Sequence, residues 1–255
     1  MRRTRYFLLS LVIAAAPLAA QSSIAVTNAA TFVDRVGVTP GGLASLFADI
    51  NGFSVGVAGS LPWQTQLSGV QVLVNNVPAP LYWAGPTTTT APGQINFQVP
   101  SGTPAGAAAT VQVTLNGSII AQGTMSTSTA SPGVFVTDYA PRQGAILNQN
   151  YAVNSVTARA KRGEVIQIYG TGVGALQTAV PDGAAPETYA VSVLTPKVYI
   201  GDLEASVQFS GVVGYPGFWQ INAVVPNRPF ISGQVPLVVV LNGIQSNQST
   251  FWVVD

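Results

Sequence analysis

The chain has 255 residues, of which 7% are charged and none is histidine or cysteine. That composition excludes a zinc site built on nitrogen or sulfur, a histidine-driven nucleophile and disulfide staples, so hydrophobic cores must supply the stability. Ten basic and nine acidic residues also leave too little clustered positive charge for a surface that reads nucleic acid.

Arg2, Arg3 and Arg5 precede an apolar run from Tyr6 to Ala16, and small residues follow at Ala19 and Ala20. This order predicts a secretory signal peptide over 1–20, too short in its apolar part to span a membrane. With those three arginines removed, seven basic residues face nine acidic ones, a net charge of about −2. The Arg159-Ala160-Lys161-Arg162 cluster reads as a solvated turn before a strand. The mature chain is therefore expected outside the cytoplasm (extracellular, on the cell surface or periplasmic), with no membrane span and no nucleic-acid partner.

From Gly41 onward the chain repeats itself. GQINFQVP begins at Gly93, and WQINAVVP begins at Trp219. At a constant offset of 126, Val72 meets Val198, Ala79 meets Ala205, Gly85 meets Gly211, Gln94-Ile95-Asn96 meets Gln220-Ile221-Asn222, and Leu115-Asn116-Gly117 meets Leu241-Asn242-Gly243. Upstream the offset is 122, placing Gly41, Leu43, Leu46 and Phe47 on Gly163, Val165, Ile168 and Tyr169. A repeat held in register over such a length means two copies of one module. The expected division is 1–20 signal peptide, 21–136 first module and 137–255 second module.

Within each copy the apolar period is two. Val77, Ala79, Leu81 and Trp83 alternate with Pro78, Pro80 and Tyr82, and Leu203, Ala205, Val207 and Phe209 alternate with Glu204, Ser206 and Gln208. This predicts half-buried strands, with Trp83, Phe97 and Phe209 facing inward. Asn75-Asn76, Asn116-Gly117, Gly201-Asp202 and Asn242-Gly243 accept positive φ and predict hairpin turns. No helical period is found after the leader. The fold class expected is all-β.

Three glycine motifs suggest chemistry and fail on context. Gly52-Phe53-Ser54-Val55-Gly56 fits the pattern of a hydrolase nucleophile elbow, but no base and no following helix accompany it. Gly170-Thr171-Gly172-Val173-Gly174 is followed by prolines 181 and 186 rather than by a phosphate-binding helix, and reads as a loop. The acids Asp202 with Glu204, and Asp182 with Glu187, lie in turns where solvation is the simpler role. No catalytic residue, cofactor or metal ligand is expected.

Gly163-Glu164-Val165-Ile166-Gln167-Ile168-Tyr169-Gly170, then Val198 to Val207, then Gln220 to Pro226 and Leu241-Asn242-Gly243, together resemble an IPT/TIG module. Ser131-Pro132-Gly133-Val134-Phe135, Ala145-Ile146-Leu147-Asn148-Gln149 and Val153-Asn154-Ser155 are similar to an uncharacterised family of exported acidobacterial proteins. Asn150-Tyr151 stands where Asp-Gly is usual, and Ala48 where a glycine is. The resemblance implies two tandem immunoglobulin-like β-sandwiches and no particular activity.

The expected function is a non-enzymatic exported interaction module, engaged in adhesion or assembly, whose partner is a protein or polysaccharide at the cell surface; the oligomeric state is left open. The alternative is a carbohydrate-binding protein. Its candidate ligand-binding residues are Trp63, Tyr82, Tyr215, Phe218 and Trp219, aromatic side chains read as lying on loops or an outward face. The competing expectation for Gly211–Trp219 is that it folds over its own core or packs between the modules.

Overall fold

The structure, a computed structural model, describes residues 22–34, 36–138 and 142–254. The signal peptide expected over 1–20 lies outside these residues. No helix occurs among them, and none is long and apolar enough to cross a membrane.

In the first half, β1 (Ile24–Asn28), β2 (Leu43–Ala48), β3 (Gly56–Val57), β4 (Val70–Val74), β5 (Val77–Pro78), β6 (Leu81–Gly85), β7 (Gly93–Gln98), β8 (Ala108–Leu115) and β9 (Ser118–Ser126) form two sheets, ordered β1-β2-β7-β6-β3 and β5-β4-β8-β9. In the second half, β10 (Gly133–Val134), β11 (Val136–Asp138), β12 (Gln143–Gly144), β13 (Ile146–Leu147), β14 (Ala160–Lys161), β15 (Val165–Thr171), β16 (Tyr189–Val191) and β17 (Lys197–Ile200) come first. They are followed by β18 (Leu203–Ala205), β19 (Val207–Val213), β20 (Trp219–Val224), β21 (Gly233–Leu241), β22 (Ile244–Gln245) and β23 (Ser249–Val254). The sheets there run β10-β15-β20-β19-β16 and β11-β12-β23-β21-β17-β18. With β1, β2, β4, β6, β7, β8 and β9 as strands A to G of the first half, and β10, β15, β17, β19, β20, β21 and β23 as those of the second, both halves place A, B, E and D in one sheet and C, F and G in the other, the immunoglobulin constant-type arrangement. The all-β expectation holds, and the sandwich is built twice.

Each half has its own core. Leu46, Val72, Leu81, Ile95, Phe97 and Val111 pack in the first; Ile168, Val198, Ile200, Ile221, Val239 and Phe251 pack in the second. Each such side chain contributes about 1.5–3 kcal/mol through burial. The turns are those the sequence predicts: Asn75 and Asn76 have φ of 48° and 65°, Asn116 and Asn242 are also positive, and glycine follows each of the latter two.

Three inward assignments are corrected, two of them at bulges. Between Leu81 and Trp83, and again between Val207 and Phe209, the pairing with the next strand shifts by one residue. A bulge adds a residue to one strand, so the parity of everything beyond it inverts. Trp83 pairs beside Asn96 and Phe209 beside Asn222, on the outer faces and not in the cores. Each ring then lies over the glycine two residues on, where a Cβ at Gly85 would collide with the Trp83 ring and one at Gly211 would come within 2.9 Å of Phe209 Cζ. Val77, expected inside, is 49% exposed because β5 is only an edge.

Strands β10 to β14 pair into the two sheets of the second half. Gly133–Val134 and Ile146–Leu147 pair with successive stretches of β15, while the residues between cross to the other sheet as β11 and β12. Asn154 fixes this arrangement. Its side chain donates to Trp252 O (2.8 Å) and to Asn148 Oδ1 (2.8 Å), and accepts from Trp252 N (2.7 Å), imitating a neighbouring strand. Asn148 in turn donates to Ala158 O at 2.8 Å.

Candidate functional site

The repeated Gln-Ile-Asn places isoleucine in the core and both amides on the outer face of the A-B-E-D sheet, because side chains alternate along a strand. In each copy the amides bond to each other: Gln94 Nε2 to Asn96 Oδ1 at 2.7 Å and Gln220 Nε2 to Asn222 Oδ1 at 2.8 Å. In the second copy, Tyr169 stands opposite Gln220, and Gln167 stands opposite Asn222. The Tyr169 hydroxyl donates to Gln167 Oε1 at 2.7 Å. Burial holds its phenol above the ordinary value of 10.0, and the nearby Tyr151 adds to the shift.

Around these amides the second module gathers aromatic rings. Phe218 stacks on Tyr169 (centroids 5.1 Å apart) and on Phe135 (5.8 Å), and Tyr215 meets it edge-on at 6.2 Å. Phe209 meets Tyr189 edge-on at 5.5 Å. The strands of this sheet carry no charged residue.

The five residues singled out from sequence fall into separate places. Trp219 opens β20 and is 1% exposed, its Nε1 donating to Ser210 Oγ at 2.9 Å; a ring sealed in the core stacks on no ligand, so its expected display is corrected. Trp63, read as a ring displayed on a loop, is buried at 8% exposure, so that display is corrected as well; its ring lies 5.3 Å from that of Tyr82. Tyr82 and Tyr215 are open to solvent, while Phe218 is half-buried between its two stacked neighbours. The fold thus pairs Trp63 with Tyr82 on the first module and Tyr215 with Phe218 on the second. Sequence reasoning missed Phe135, Tyr151 and Tyr169. The outward position of Tyr169 was available from the alternation Val165, Gln167, Tyr169.

The residues between Thr171 and Gly183, together with Gly217, hold the two modules together. Thr171 Oγ1, fully buried, accepts from Leu43 N (2.8 Å) and donates to Gly217 O (3.0 Å). Gly183 N donates to Gln98 Oε1 at 2.7 Å, and Gly183 O accepts from Trp63 N at 2.7 Å. Ser101 N donates to both carboxylate oxygens of Asp182, at 3.0 and 3.1 Å. Gly172 and Gly174 have φ of 88° and 81°, and a Cβ on either would collide with the carbonyl of Ser131 or of Thr129. The glycine-rich stretch is a clasp against the inter-module linker. A cavity of about 440 Å³ remains beside it, walled by Thr39, Pro40, Gln98, Val173, Leu176 and Val212.

Glu204 is paired at the surface, its Oε2 lying 3.3 Å from Lys197 Nζ. Among the described residues no three of His, Cys, Asp and Glu gather to hold a metal ion.

No known family profile matches the chain, and no curated protein matches it in sequence. Among solved structures it is similar to an I9-I11 tandem from titin, at 11% identity over 91% of this chain, with a TM-score of 0.24. The chain spans 66% of that titin structure. It is also similar to domains 5-6 of the S-layer protein SbsC, at 14% identity over 91% of this chain and 96% of that one, with a TM-score of 0.24. Scores this low carry no weight for any residue; the fold rests on the strand pairing described above.

Proposed function

We propose that the chain is a non-enzymatic exported interaction module of the IPT/TIG kind, acting in adhesion or assembly at the cell surface or outside the cell. The observation that supports this reading most is the clasp. The loops between Thr171 and Gly183 fix one sandwich on the other, and the outer sheet faces remain free to meet a partner. The leader expected over 1–20 supports export, and two modules are proposed with it, divided within a few residues of 136/137, since β10 just ahead of that point already pairs with β15.

The alternative, a carbohydrate-binding protein, is favoured by the open rings of Tyr82 and Tyr215, since an exposed aromatic beside polar groups suits a sugar ring.

Binding of the purified chain to isolated cell envelopes separates the two. The interaction reading expects saturable binding that is lost when the envelopes are treated with protease. Binding that survives protease but is lost after periodate oxidation of glycans supports the alternative. Turnover of ester, peptide or glycoside substrates would overturn both.

A further inference from the structure

The repeat supplies an internal control on what the fold requires. Both modules build the same A-B-E-D sheet with the same outward Gln/Asn pair. At the offsets of 126 and 122, Tyr215, Phe218 and Tyr169 face Thr89, Pro92 and Phe47. A sandwich of this type therefore forms without those tyrosines: the first module's outer ring pair is Phe32 with Phe47, 6.2 Å apart, and what the second module adds is phenolic hydroxyls beside the amides.

Tyr151 adds an independent observation. It sits at the tip of the turn that packs beside β15, with φ of 64° and 73% of its surface exposed. A non-glycine residue in that region costs of order 1 kcal/mol. An exposed tyrosine gains no burial to offset this, and such outliers cluster at binding sites.

From this geometry we infer that the outer face of the second module's A-B-E-D sheet binds a neutral polysaccharide, with Tyr151 and Tyr215 as contact rings and Gln167, Gln220 and Asn222 as hydrogen-bonding groups. This deepens the carbohydrate reading and rests on it. Phe218 and Phe135 act as buttresses: stacked on their neighbours, they position Tyr169 and Tyr215.

Two features select the ligand. The sheet has no charge, so a charged polymer gains nothing from it. Gln167 Nε2, Gln220 Oε1 and Asn222 Nδ2 make no hydrogen bond among the described residues, although the other end of each amide is engaged. An apolar protein patch laid over them would strand those atoms, at a cost for each. Sugar hydroxyls both donate and accept, and satisfy all three.

The test is native gel electrophoresis of the whole mature chain through gels containing hydroxyethyl cellulose, galactomannan, dextran or, as the anionic arm, polygalacturonate. Retardation by at least one neutral polymer is expected, weakened about tenfold in Tyr151→Gly and in Tyr215→Ser and unchanged in Tyr82→Ala. Tyr151→Gly relieves the backbone, so its melting temperature should not fall, which separates lost binding from lost folding. Retardation lost in Tyr82→Ala but kept in the other two variants would overturn this face while sparing the carbohydrate reading. No retardation by any polymer, or retardation by polygalacturonate alone, would overturn the proposal. Capture of a protein partner that is lost in Tyr151→Gly would also overturn it, in favour of a protein ligand for the same face.

Discussion

The first and second sandwiches solve one packing problem with opposite residues. In the first, Ile50 is 1% exposed and packs where a Cβ on Gly93 would collide with it. In the second, the equivalent of Gly93 is Trp219, and the equivalent of Ile50 is Gly172. A large side chain fills that end of each core, but it comes from a different strand end. The exchange has a consequence at the junction. With the bulk moved to Trp219, position 172 is free to be a glycine, and only a glycine with positive φ lets the chain pass close against Ser131. The difference shows how a duplicated sandwich acquires a clasp without changing its sheets.

Removing Trp219 breaks the comparison most severely. Trp219→Ala empties a fully buried site and leaves Ser210 Oγ without its indole donor, so a loss of about 3–5 kcal/mol is expected. Chemical denaturation followed by circular dichroism should show the loss, and a variant within 1 kcal/mol of wild type (roughly the scale of a surface change) would contradict the burial described.

A smaller effect is expected at the clasp. Gln98→Leu removes the acceptor for the buried Gly183 N, at a cost of about 1–3 kcal/mol. Because that bond joins the modules, small-angle scattering should report a broader distribution of overall lengths while each sandwich stays folded. An unchanged scattering profile would mean that the remaining junction bonds suffice.

The smallest effect distinguishes Tyr169 from its counterpart Phe47. The folded protein holds the Tyr169 proton more tightly than the unfolded chain does, so its contribution to stability is complete below pH 10 and declines as pH rises above that value. Tyr169→Phe should remove that part of the alkaline loss. Ultraviolet titration of the phenolates checks the direction, and a Tyr169 that ionises at or below pH 10 would contradict it.

Much of the fold was legible in the sequence. The fixed offsets gave two modules, the period of two gave strands, and Asn-Gly and Asn-Asn gave the hairpin turns, because each of these is a local or translational pattern. The candidate face was only partly legible. Phe97 was placed correctly in the core. Trp83 and Phe209 were not, since inside and outside are counted through a bulge, and a bulge is a property of the pairing between two strands. Tyr151 drew notice only as a departure from Asp-Gly; that it lies beside Tyr169 depends on how the turn packs against β15.

What the sequence by itself determined is therefore the repeat, the strand class and the turn chemistry, all of which act over a few residues or a constant shift. What only the tertiary structure decided is which aromatic rings are spent inside and which remain outside, and that Gly183 meets Trp63 and Gln98. Burial is set by every neighbour at once, and contacts between positions so far apart in the chain exist only after both sandwiches have closed.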